Sequence, residues 1–219
     1  MSADQTERFG LNLARRGPTA KPNGSVGYAD GMASADSTGD RIVAAATAEF
    51  SRYGIAGARI ERIAKAARTS KERIYAYHRS KEALYKHVAA RELTAIAEAT
   101  RLDPTDLPGY AGRVHDHFTG HPDSFRLMRW GQMELPSGAA AVEDPLRESL
   151  AGKVEKLRAA QEAGLLDRAW EPLDILVFVN QIAMSWAGQP DLVAEGEAFM
   201  AARRAAVVAA VARLFPPAA

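Results

Sequence analysis

Residues 67–85, ARTSKERIYAYHRSKEALY, decide the fold of this chain. The stretch contains five Lys or Arg side chains, three tyrosines and two Ser-Lys-Glu triplets. A serine at such a position is a good N-cap, because its hydroxyl can accept a hydrogen bond from a backbone N–H in the first turn of the helix. Ser70 and Ser80 therefore predict two helix starts, one for a short helix over 71–77 and one for a longer helix over 81–100.

Two further helices precede this stretch. Behind the capping-box sequence Ser37-Thr38-Gly39-Asp40, apolar residues recur at helical spacing until Gly54, which predicts a first helix of about 14 residues. A second apolar stripe predicts a short helix over 59–67. Three short helices followed by a long one are typical of a helix-turn-helix, in which the second helix braces the third. The third helix, over 71–77, is then the one presented to a partner.

Charge is concentrated in this part of the chain. The 219 residues carry a net charge of +1, but residues 40–91 hold 12 Lys or Arg against 5 Asp or Glu, a net +7. Residues 92–219 hold 12 against 18, a net −6. A concentrated positive charge favours a polyanion through counterion release, whereas the acidic remainder must face elsewhere. A basic surface that is merely solvated would give the same count.

The rest of the chain is also predicted to be helical. Proline and glycine separate the apolar segments beyond residue 103, and none of the segments alternates with the two-residue period of a strand. The predicted fold class is therefore all-α. The predicted segments are 108–120, 122–134, 145–163, 172–187 and 192–215, with a loop at 135–144. Residues 1–39 are rich in Gly, Ser, Ala and Asp, and they predict a flexible N-terminal tail.

Several classes of protein do not fit the composition. The chain has no cysteine, which excludes disulfides and thiolate metal sites and fits the cytoplasm. No apolar run approaches the roughly 20 residues that span a bilayer. His117 and His121 stand four residues apart, but Pro122 follows at once and no HExxH pattern completes a metal site. We also find no phosphate-binding glycine loop and no catalytic motif, so we expect no metal, no cofactor and no enzyme activity.

The N-terminal pattern resembles the TetR family of transcriptional regulators. The family's signature is a helix ending in Phe and Gly, an Ile-Ala helix, and then Tyr, an aromatic residue and Ser-Lys-Glu-Ala-Leu. It stands here as EFSRYG (49–54), ERIAKAA (61–67) and RIYAYHRSKEALY (73–85). The resemblance implies an all-α homodimer with an N-terminal three-helix DNA-binding domain and a C-terminal helical bundle. The implied organisation is a tail at 1–39, a helix-turn-helix domain at 40–80 and a ligand-binding and dimerisation domain at 81–219.

The chain departs from the family pattern at three places. Arg68-Thr69 replaces the usual Gly-Val in the turn between the second and third helices, so that either a non-glycine residue there carries a positive φ at a cost of about 1 kcal/mol or the turn has a different geometry. Arg59 replaces the threonine that commonly opens the second helix, which removes a cap but supplies a cation for a phosphate. His78 stands where a phenylalanine usually packs beneath the third helix.

By residue-wise transfer, the resemblance implies a set of DNA contacts. Lys71, Glu72 and Tyr75 would lie closest to base edges, with Arg73 nearby. Lys71 could reach guanine O6 or N7, and Tyr75 could meet a thymine methyl group or a phosphate. Tyr77, Arg59 and Lys81 would hold phosphates, Lys81 also from the N-terminus of the helix over 81–100. The complete predicted DNA-binding set is Arg59, Thr69, Ser70, Lys71, Glu72, Arg73, Tyr75, Tyr77 and Lys81.

The C-terminal segments predict two further properties. The stretch over 172–187 is apolar almost all round, and the segment at 192–215 has a wide face of small residues. Both fit a four-helix dimer interface formed by two helices from each subunit, as the resemblance also implies, although packing within a single subunit would bury the same faces. Large apolar side chains with a few polar anchors fit a pocket for a small-molecule effector, although each alone would also suit a plain core. The predicted ligand residues are Phe118, Phe125, Met128, Trp130, Met133, Phe178, Asn180, Gln181, Met184 and Trp186.

The sequence thus predicts a sequence-specific transcriptional regulator, most simply a repressor that a small molecule releases from double-stranded operator DNA. Two alternatives remain open at this stage. One is an activator or architectural DNA-binding protein of the same fold that takes no ligand. The other is an all-α enzyme or metal-binding protein whose basic N-terminal segment only resembles a DNA reader.

Overall fold

The computed structural model describes residues 38–135, 145–189 and 196–216, and in those ranges the regular structure is entirely helical. This confirms the predicted all-α class. Predictions for residues 1–37, for most of the loop at 135–144 and for residues 192–195 lie outside the described residues. The helices are α1 (Thr38–Gly57), α2 (Ile60–Ala66), α3 (Lys71–Tyr77), α4 (Lys81–Ala99), α5 (Leu107–Gly120), α6 (Pro122–Glu134), α7 (Pro145–Glu162), α8 (Pro172–Met184) and α9 (Glu197–Leu214).

The predicted helix boundaries need three corrections. α1 begins at Thr38, so the last two residues of the predicted tail are helical. Gly54 does not end α1 but kinks it, with φ 71° and ψ −177°, and a further turn continues to Gly57. α8 ends at Met184 rather than at residue 187, and α9 begins at Glu197 after Gly196, whose φ is 137°. The bounds of α3 and α6 are as predicted.

An N-terminal cluster of apolar side chains holds α1 to α4 together. Ile42, Ala46 and Phe50 recur on one face of α1 and are completely buried. The Phe50 ring meets the Tyr85 ring of α4 edge to face at 5.4 Å between centroids. Burying a side chain of this size contributes about 2 kcal/mol. The members are Ile42, Ala46, Phe50, Ile55, Ala58, Ile60, Ile63, Ala64, Ala67, Ile74, Leu84, Tyr85, Val88 and Leu127.

The last member of that cluster comes from α6, far along the chain. Leu127 is fully buried, and its carbonyl oxygen accepts a 2.7 Å hydrogen bond from the Tyr85 hydroxyl. α6 also lies along α1: the Trp130 indole N–H donates to the Ser51 carbonyl at 3.2 Å. Glu134 accepts a 2.7 Å hydrogen bond from the backbone N–H of Ala56. α6 therefore completes the packing of α1 and α4.

A C-terminal cluster fills the space between α4, α5, α7, α8 and α9. Tyr110 of α5 lies at its centre, and its hydroxyl donates to Asn180 Oδ1 of α8 at 2.9 Å. α4 reaches this cluster with Ile96, so that one helix contributes to both clusters. The buried members are Ile96, Leu102, Leu107, Tyr110, Ala111, Val114, Phe118, Leu157, Ala160, Leu166, Ile175, Leu176, Val179, Ala183, Val207, Val211 and Phe215.

None of the helices in the described ranges is both long and apolar enough to cross a membrane.

Candidate nucleic-acid interface

The helix α3 turns almost all of its side chains outward. Ser70 caps it as predicted, since its hydroxyl oxygen accepts a 3.1 Å hydrogen bond from the Arg73 backbone N–H. Of the seven residues of α3, only Ile74 is buried, and it anchors the helix in the N-terminal cluster. The predicted reading residues Lys71, Glu72, Arg73, Tyr75 and Tyr77 are all exposed.

The two tyrosines of α3 are unusually accessible for aromatic side chains. Tyr75 is 41% exposed and Tyr77 is 53% exposed. The Arg73 guanidinium lies over the Tyr77 ring, 5.6 Å from its centroid. Rings and cations on one short helix can stack on sugars, meet thymine methyl groups and donate hydrogen bonds to phosphate oxygens. The surface therefore has the chemistry that a DNA groove requires.

The turn before α3 contains Arg68 in the left-handed region, with a φ of 52°. Of the two possibilities that the sequence left open, a positive φ at this residue is the one that the structure shows. The Arg68 N–H donates to the Lys65 carbonyl at 3.3 Å, and the Thr69 N–H donates to the Ala64 carbonyl at 3.0 Å. These two bonds form a Schellman motif, the usual end of a helix at a left-handed residue. The angle between α2 and α3 is thus held by backbone hydrogen bonds.

We expect Arg68→Gly to raise the free energy of unfolding by about 0.5–1 kcal/mol, because glycine adopts the left-handed conformation without steric cost. Urea denaturation measures the change. Arg68→Ala is the control, since it removes the same charge and keeps the strained backbone. An alanine variant that gains as much stability as the glycine variant would show that charge, rather than backbone strain, is responsible.

Lys71 is paired within the protein. Its ammonium lies 2.6 Å from the Glu61 carboxylate of α2, and both side chains are largely exposed. The hydrogen bond between them raises the pKa of Lys71 and lowers the pKa of Glu61. An ion pair at such an exposed site is weak, so DNA can replace Glu61 as the partner of the ammonium. Lys71 thus lies at the surface, where its ammonium can exchange Glu61 for a group of the DNA.

Arg59 opens α2 without capping it by its own side chain, as the sequence predicted. A side chain from α1 supplies the missing cap: the Glu49 carboxylate accepts a 2.9 Å hydrogen bond from the Arg59 backbone N–H. Glu49 is almost completely buried and also binds Arg62, at 2.5 Å. No spacing in the sequence indicates this role of Glu49. Because the cap comes from Glu49, the exposed Arg59 guanidinium is available for a phosphate.

Lys81 forms hydrogen bonds to α1 and the residues just after it, which the sequence did not indicate. Its ammonium donates to the carbonyl oxygens of Ala56 and Ala58, at 3.0 and 3.2 Å. Those carbonyls end the kinked turn of α1, so Lys81 joins α1 to the start of α4. A phosphate contact by Lys81 stays a prediction. Arg79, in the connection between α3 and α4, is exposed and was not among the predicted residues.

His78 occupies the predicted position beneath α3. It is the C-cap residue of α3, its backbone N–H donates to the Ile74 carbonyl at 2.9 Å, and its ring centroid lies 5.1 Å from that of His87 on α4. Burial, together with the neighbouring His87, lowers the pKa of His78 below its ordinary value of 6.5. The folded protein therefore favours the neutral imidazole.

This lowered pKa predicts a loss of stability in acid. Below pH 6.5 the unfolded chain binds a proton at His78 that the folded chain resists, so the free energy of unfolding falls as the pH drops from 7.5 towards 5.5. We expect His78→Phe to show a flatter profile in denaturation experiments at the two pH values. Some slope will remain, because burial also lowers the pKa of His117. An unchanged profile in the variant would contradict this assignment.

The predicted ligand residues are distributed over more than one environment. Trp130 packs on α1, Met133 is 60% exposed and Phe178 is 41% exposed. Asn180 is engaged by the Tyr110 hydroxyl. Phe118 and Phe125 do meet, edge to face, at 6.0 Å between centroids. In the described part of the chain, two clefts of about 540 and 410 Å³ are lined by other residues, so a ligand role for the ten residues stays a prediction.

The histidines of α5 do not assemble a metal site. His117 and His121 stack with centroids 4.7 Å apart, and Asp116 is bound to Arg204. Within the described ranges, no group of three or more His, Asp or Glu side chains is placed to hold a metal ion.

Models of known protein families match two parts of this chain. The family model described as "Bacterial regulatory proteins, tetR family" matches residues 42–88, which include α2, α3 and the turn between them. The model described as "Tetracyclin repressor-like, C-terminal domain" matches residues 106–213. The two matches follow one another in the order that the sequence pattern predicted.

Individual relatives agree with the family models. The HTH-type transcriptional repressor SCO4008 of Streptomyces coelicolor is 38% identical over 152 residues, which are 69% of this chain and 79% of that protein. The crystal structure of SCO4942 from the same organism, assigned as a transcriptional regulator, is 58% identical with a TM-score of 0.72, covering 82% of this chain and 99% of that one. The ketosteroid transcriptional regulator KstR2 of Mycobacterium tuberculosis shares the fold, with a TM-score of 0.58 at 16% identity over 81% of this chain and 96% of that one.

Proposed function

We propose that this chain, which belongs to the TetR family of bacterial regulatory proteins, is a transcriptional repressor that dissociates from its operator when a small molecule binds the C-terminal helices. The observation that carries the proposal is α3, which is anchored by Ile74 alone and presents its cations and tyrosines to solvent. Repression is favoured because two relatives are named as repressors. A regulator of this kind acts on DNA in the cytoplasm.

We assign the DNA contacts to α3 and its surroundings. Lys71 and Tyr75 reach base edges in the major groove, with Glu72 and Arg73 beside them. The Arg59 guanidinium and the Tyr77 hydroxyl meet phosphates, and the N-terminus of α4 adds backbone N–H groups near Lys81. Thr69 and Ser70 lie at the start of α3, where a backbone phosphate would approach. This assignment rests on exposure and on the match of residues 42–88 to the family model.

Regulators of this family act as dimers, and we assign the interface to α8 and α9. Leu173, Val177 and Phe178 of α8 are between 41% and 53% exposed, and Leu173 and Val177 stand one turn apart on one face. Pairs of consecutive alanines along α9 are also exposed, and their small side chains permit close packing of helices. Two such pairs of helices form a four-helix interface that sets two copies of α3 about 34 Å apart, one turn of DNA.

We expect Val177→Asp to convert the dimer into a monomer at micromolar concentration, because a carboxylate would be buried without a partner. Sedimentation velocity measures the change. Leu165→Asp is the matched control, since Leu165 is 49% exposed in the connection after α7 and lies outside the proposed interface. A Val177→Asp variant that sediments like the wild-type protein would contradict the assignment.

Operator release follows from the position of α4. Its first half packs in the N-terminal cluster through Leu84, Tyr85 and Val88, and its second half reaches the C-terminal cluster through Ile96. Met128 of α6 touches both clusters as well. A ligand that prefers a different tilt of α4 shifts the population away from the DNA-binding geometry. The same coupling factor then weakens the binding of DNA to the liganded protein and of ligand to the DNA-bound protein.

The test is binding of the purified protein to the DNA upstream of its own gene and to scrambled DNA of equal length, at two salt concentrations. We expect a preference of about a thousandfold for the upstream DNA, with a steep dependence on salt. If binding to both is equally weak, a selection from random sequences follows. A selection that enriches no motif would refute the proposed function.

A further inference from the structure

A cleft of about 410 Å³ lies between α4 and α7. Its volume falls in the range of small-molecule sites. The second half of α4 and the middle of α7 contribute to its walls, so an occupant would touch α4 directly. The lining residues are Leu93, Thr94, Ala97, Glu98, Arg101, Leu102, Ser149, Gly152, Lys153 and Lys156.

The cleft has an excess of positive charge. Lys153 and Lys156 lie three residues apart on α7, and Arg101 adds a third cation from the end of α4, against the single carboxylate of Glu98. Its apolar wall consists of Leu93, Ala97 and Leu102. A site with cations on one side and apolar surface on the other suits a molecule that combines an acid group with an apolar body.

Lys153 is the most constrained of these cations. It is half-buried, and its ammonium donates to the Tyr110 hydroxyl at 3.2 Å and lies 5.3 Å from the centre of that ring. The Tyr110 hydroxyl in turn donates to Asn180 Oδ1 at 2.9 Å. Tyr110 and Asn180, the two partners in this series of hydrogen bonds, are neutral. Among the described side chains, no carboxylate forms an ion pair with Lys153.

This arrangement leaves a positive charge partly desolvated and, among the side chains that the structure describes, without an ion-pair partner. Burial and the neighbouring Lys156 lower the pKa of Lys153, which means that its charged form is disfavoured as it stands. A half-buried cation is stabilised by an anion that enters beside it, because the local dielectric constant is low and the pair forms a charge-assisted hydrogen bond. The polar chain through Tyr110 and Asn180 holds the ammonium in position for such an anion.

We propose that the cleft between α4 and α7 is the effector site and that the effector is a small amphipathic organic acid. Its carboxylate binds Lys153 and Lys156, and its apolar body lies against Leu93, Ala97 and Leu102 of the opposite wall. The assignment to an effector rests on the proposed repressor function, whereas binding of the acid does not. Because α4 forms one wall, occupation of the cleft acts on the helix whose first half shares the N-terminal cluster with Ile74 of α3.

Calorimetric titration tests the binding with four carboxylates as probes: octanoate, decanoate, salicylate and 2-naphthoate. 1-Octanol and 2-naphthol are their neutral counterparts. We expect at least one acid to bind about tenfold more tightly than its neutral counterpart. Lys153→Met should remove most of that preference. If none of the acids binds, or if Lys153→Met binds them as the wild-type protein does, the inference is overturned.

Two further variants separate the cleft from general effects of charge and folding. Gly152→Leu fills the cleft without changing charge, and a Cβ atom at Gly152 meets nothing within 4 Å, so that the helix accepts the side chain. We expect it to weaken binding about tenfold. Arg158→Gln removes a cation from the same helix outside the cleft and should bind the acids within twofold of the wild-type protein. Equal losses in Gly152→Leu and Arg158→Gln would overturn the assignment to the cleft.

Operator release is measured separately, by fluorescence anisotropy of a labelled operator fragment. An acid that binds through Lys153 and displaces the DNA supports the whole inference. An acid that binds through Lys153 but leaves the DNA in place overturns the effector role. A protein that binds the acids but selects no DNA sequence refutes the proposed repressor function and leaves the anion site standing.

Discussion

Replacing Gly54 by alanine is expected to lower the free energy of unfolding by about 3 kcal/mol. Gly54 has φ 71° and ψ −177°, a combination that is almost confined to glycine. A Cβ atom there would also stand 2.6 Å from Glu134 Oε1 and 2.9 Å from Trp130 Cε3. The carboxylate would have to leave the Ala56 N–H that it now accepts from.

Urea denaturation and thermal melting measure this loss, and a decrease of about 8 °C in Tm corresponds to it for a protein of this size. Gly57→Ala is the matched control at the end of the same helix. A Cβ atom at Gly57 meets only the Cβ atom of Tyr53, at 3.4 Å, so alanine should be neutral or slightly stabilising there. If the Gly54 and Gly57 variants were equally stable, the kink would not depend on glycine.

Lys71→Ala is expected to weaken operator binding about 10- to 100-fold while leaving the fold intact. Its side chain is exposed and pairs only with the exposed Glu61, so the melting temperature should change by no more than about 2 °C. The companion variant Glu61→Gln releases the ammonium from its partner, and we expect it to bind the operator more tightly than the wild-type protein does.

Fluorescence anisotropy with operator and scrambled DNA distinguishes the two possible roles of Lys71. A base contact predicts that the preference for operator over scrambled DNA falls. A phosphate contact predicts that both affinities fall together and that the salt dependence decreases by about one charge. Arg158→Ala removes an equal charge far from α3 and serves as the control. Operator affinity within twofold of wild type in Lys71→Ala would remove this residue from the interface.

Much of the fold could be predicted because the sequence carries local signals. Ser70 and Ser80 mark the starts of α3 and α4 by hydrogen bonds that reach only three residues ahead. Pro122 marks the start of α6 by another local signal, since its ring fixes a helical φ and its missing N–H would have had no partner in the first turn. The kink at Gly54 was missed because its cause is not local: the glycine is required by side chains of α6, 76 to 80 residues further along the chain.

The exposure of the candidate DNA-binding residues could be predicted from the sequence, but the hydrogen bonds and ion pairs around them could not. Exposure of Lys71, Tyr75 and Tyr77 follows from their spacing around Ile74, which any helix imposes. The partners of Glu49, Glu61 and Lys81 depend on the angles between α1, α2 and α4, and no spacing within one helix reveals them. The charge count of residues 40–91 therefore overstates the cations that are free to meet DNA.

The cleft between α4 and α7 was missed for a similar reason. Lys153 and Lys156 stand three residues apart in a segment that reads as an ordinary solvated helix face. Only the contact of Lys153 with Tyr110 of α5 shows that one of these cations is drawn inward. The signal in the sequence was Gly152, a residue without a side chain in the middle of a helix, directly before the first lysine.

The position of Leu127 limits how regulators of this kind can be recombined. A chimera that joined residues 38–100 of this chain to the C-terminal half of another protein would leave a hole where Leu127 lies and would deprive the Tyr85 hydroxyl of its acceptor. A graft of the whole DNA-binding part must therefore include α6 as well as α1 to α4. Transplanting only the outward residues of α3 avoids this cost, because Ile74 alone ties that helix to the interior.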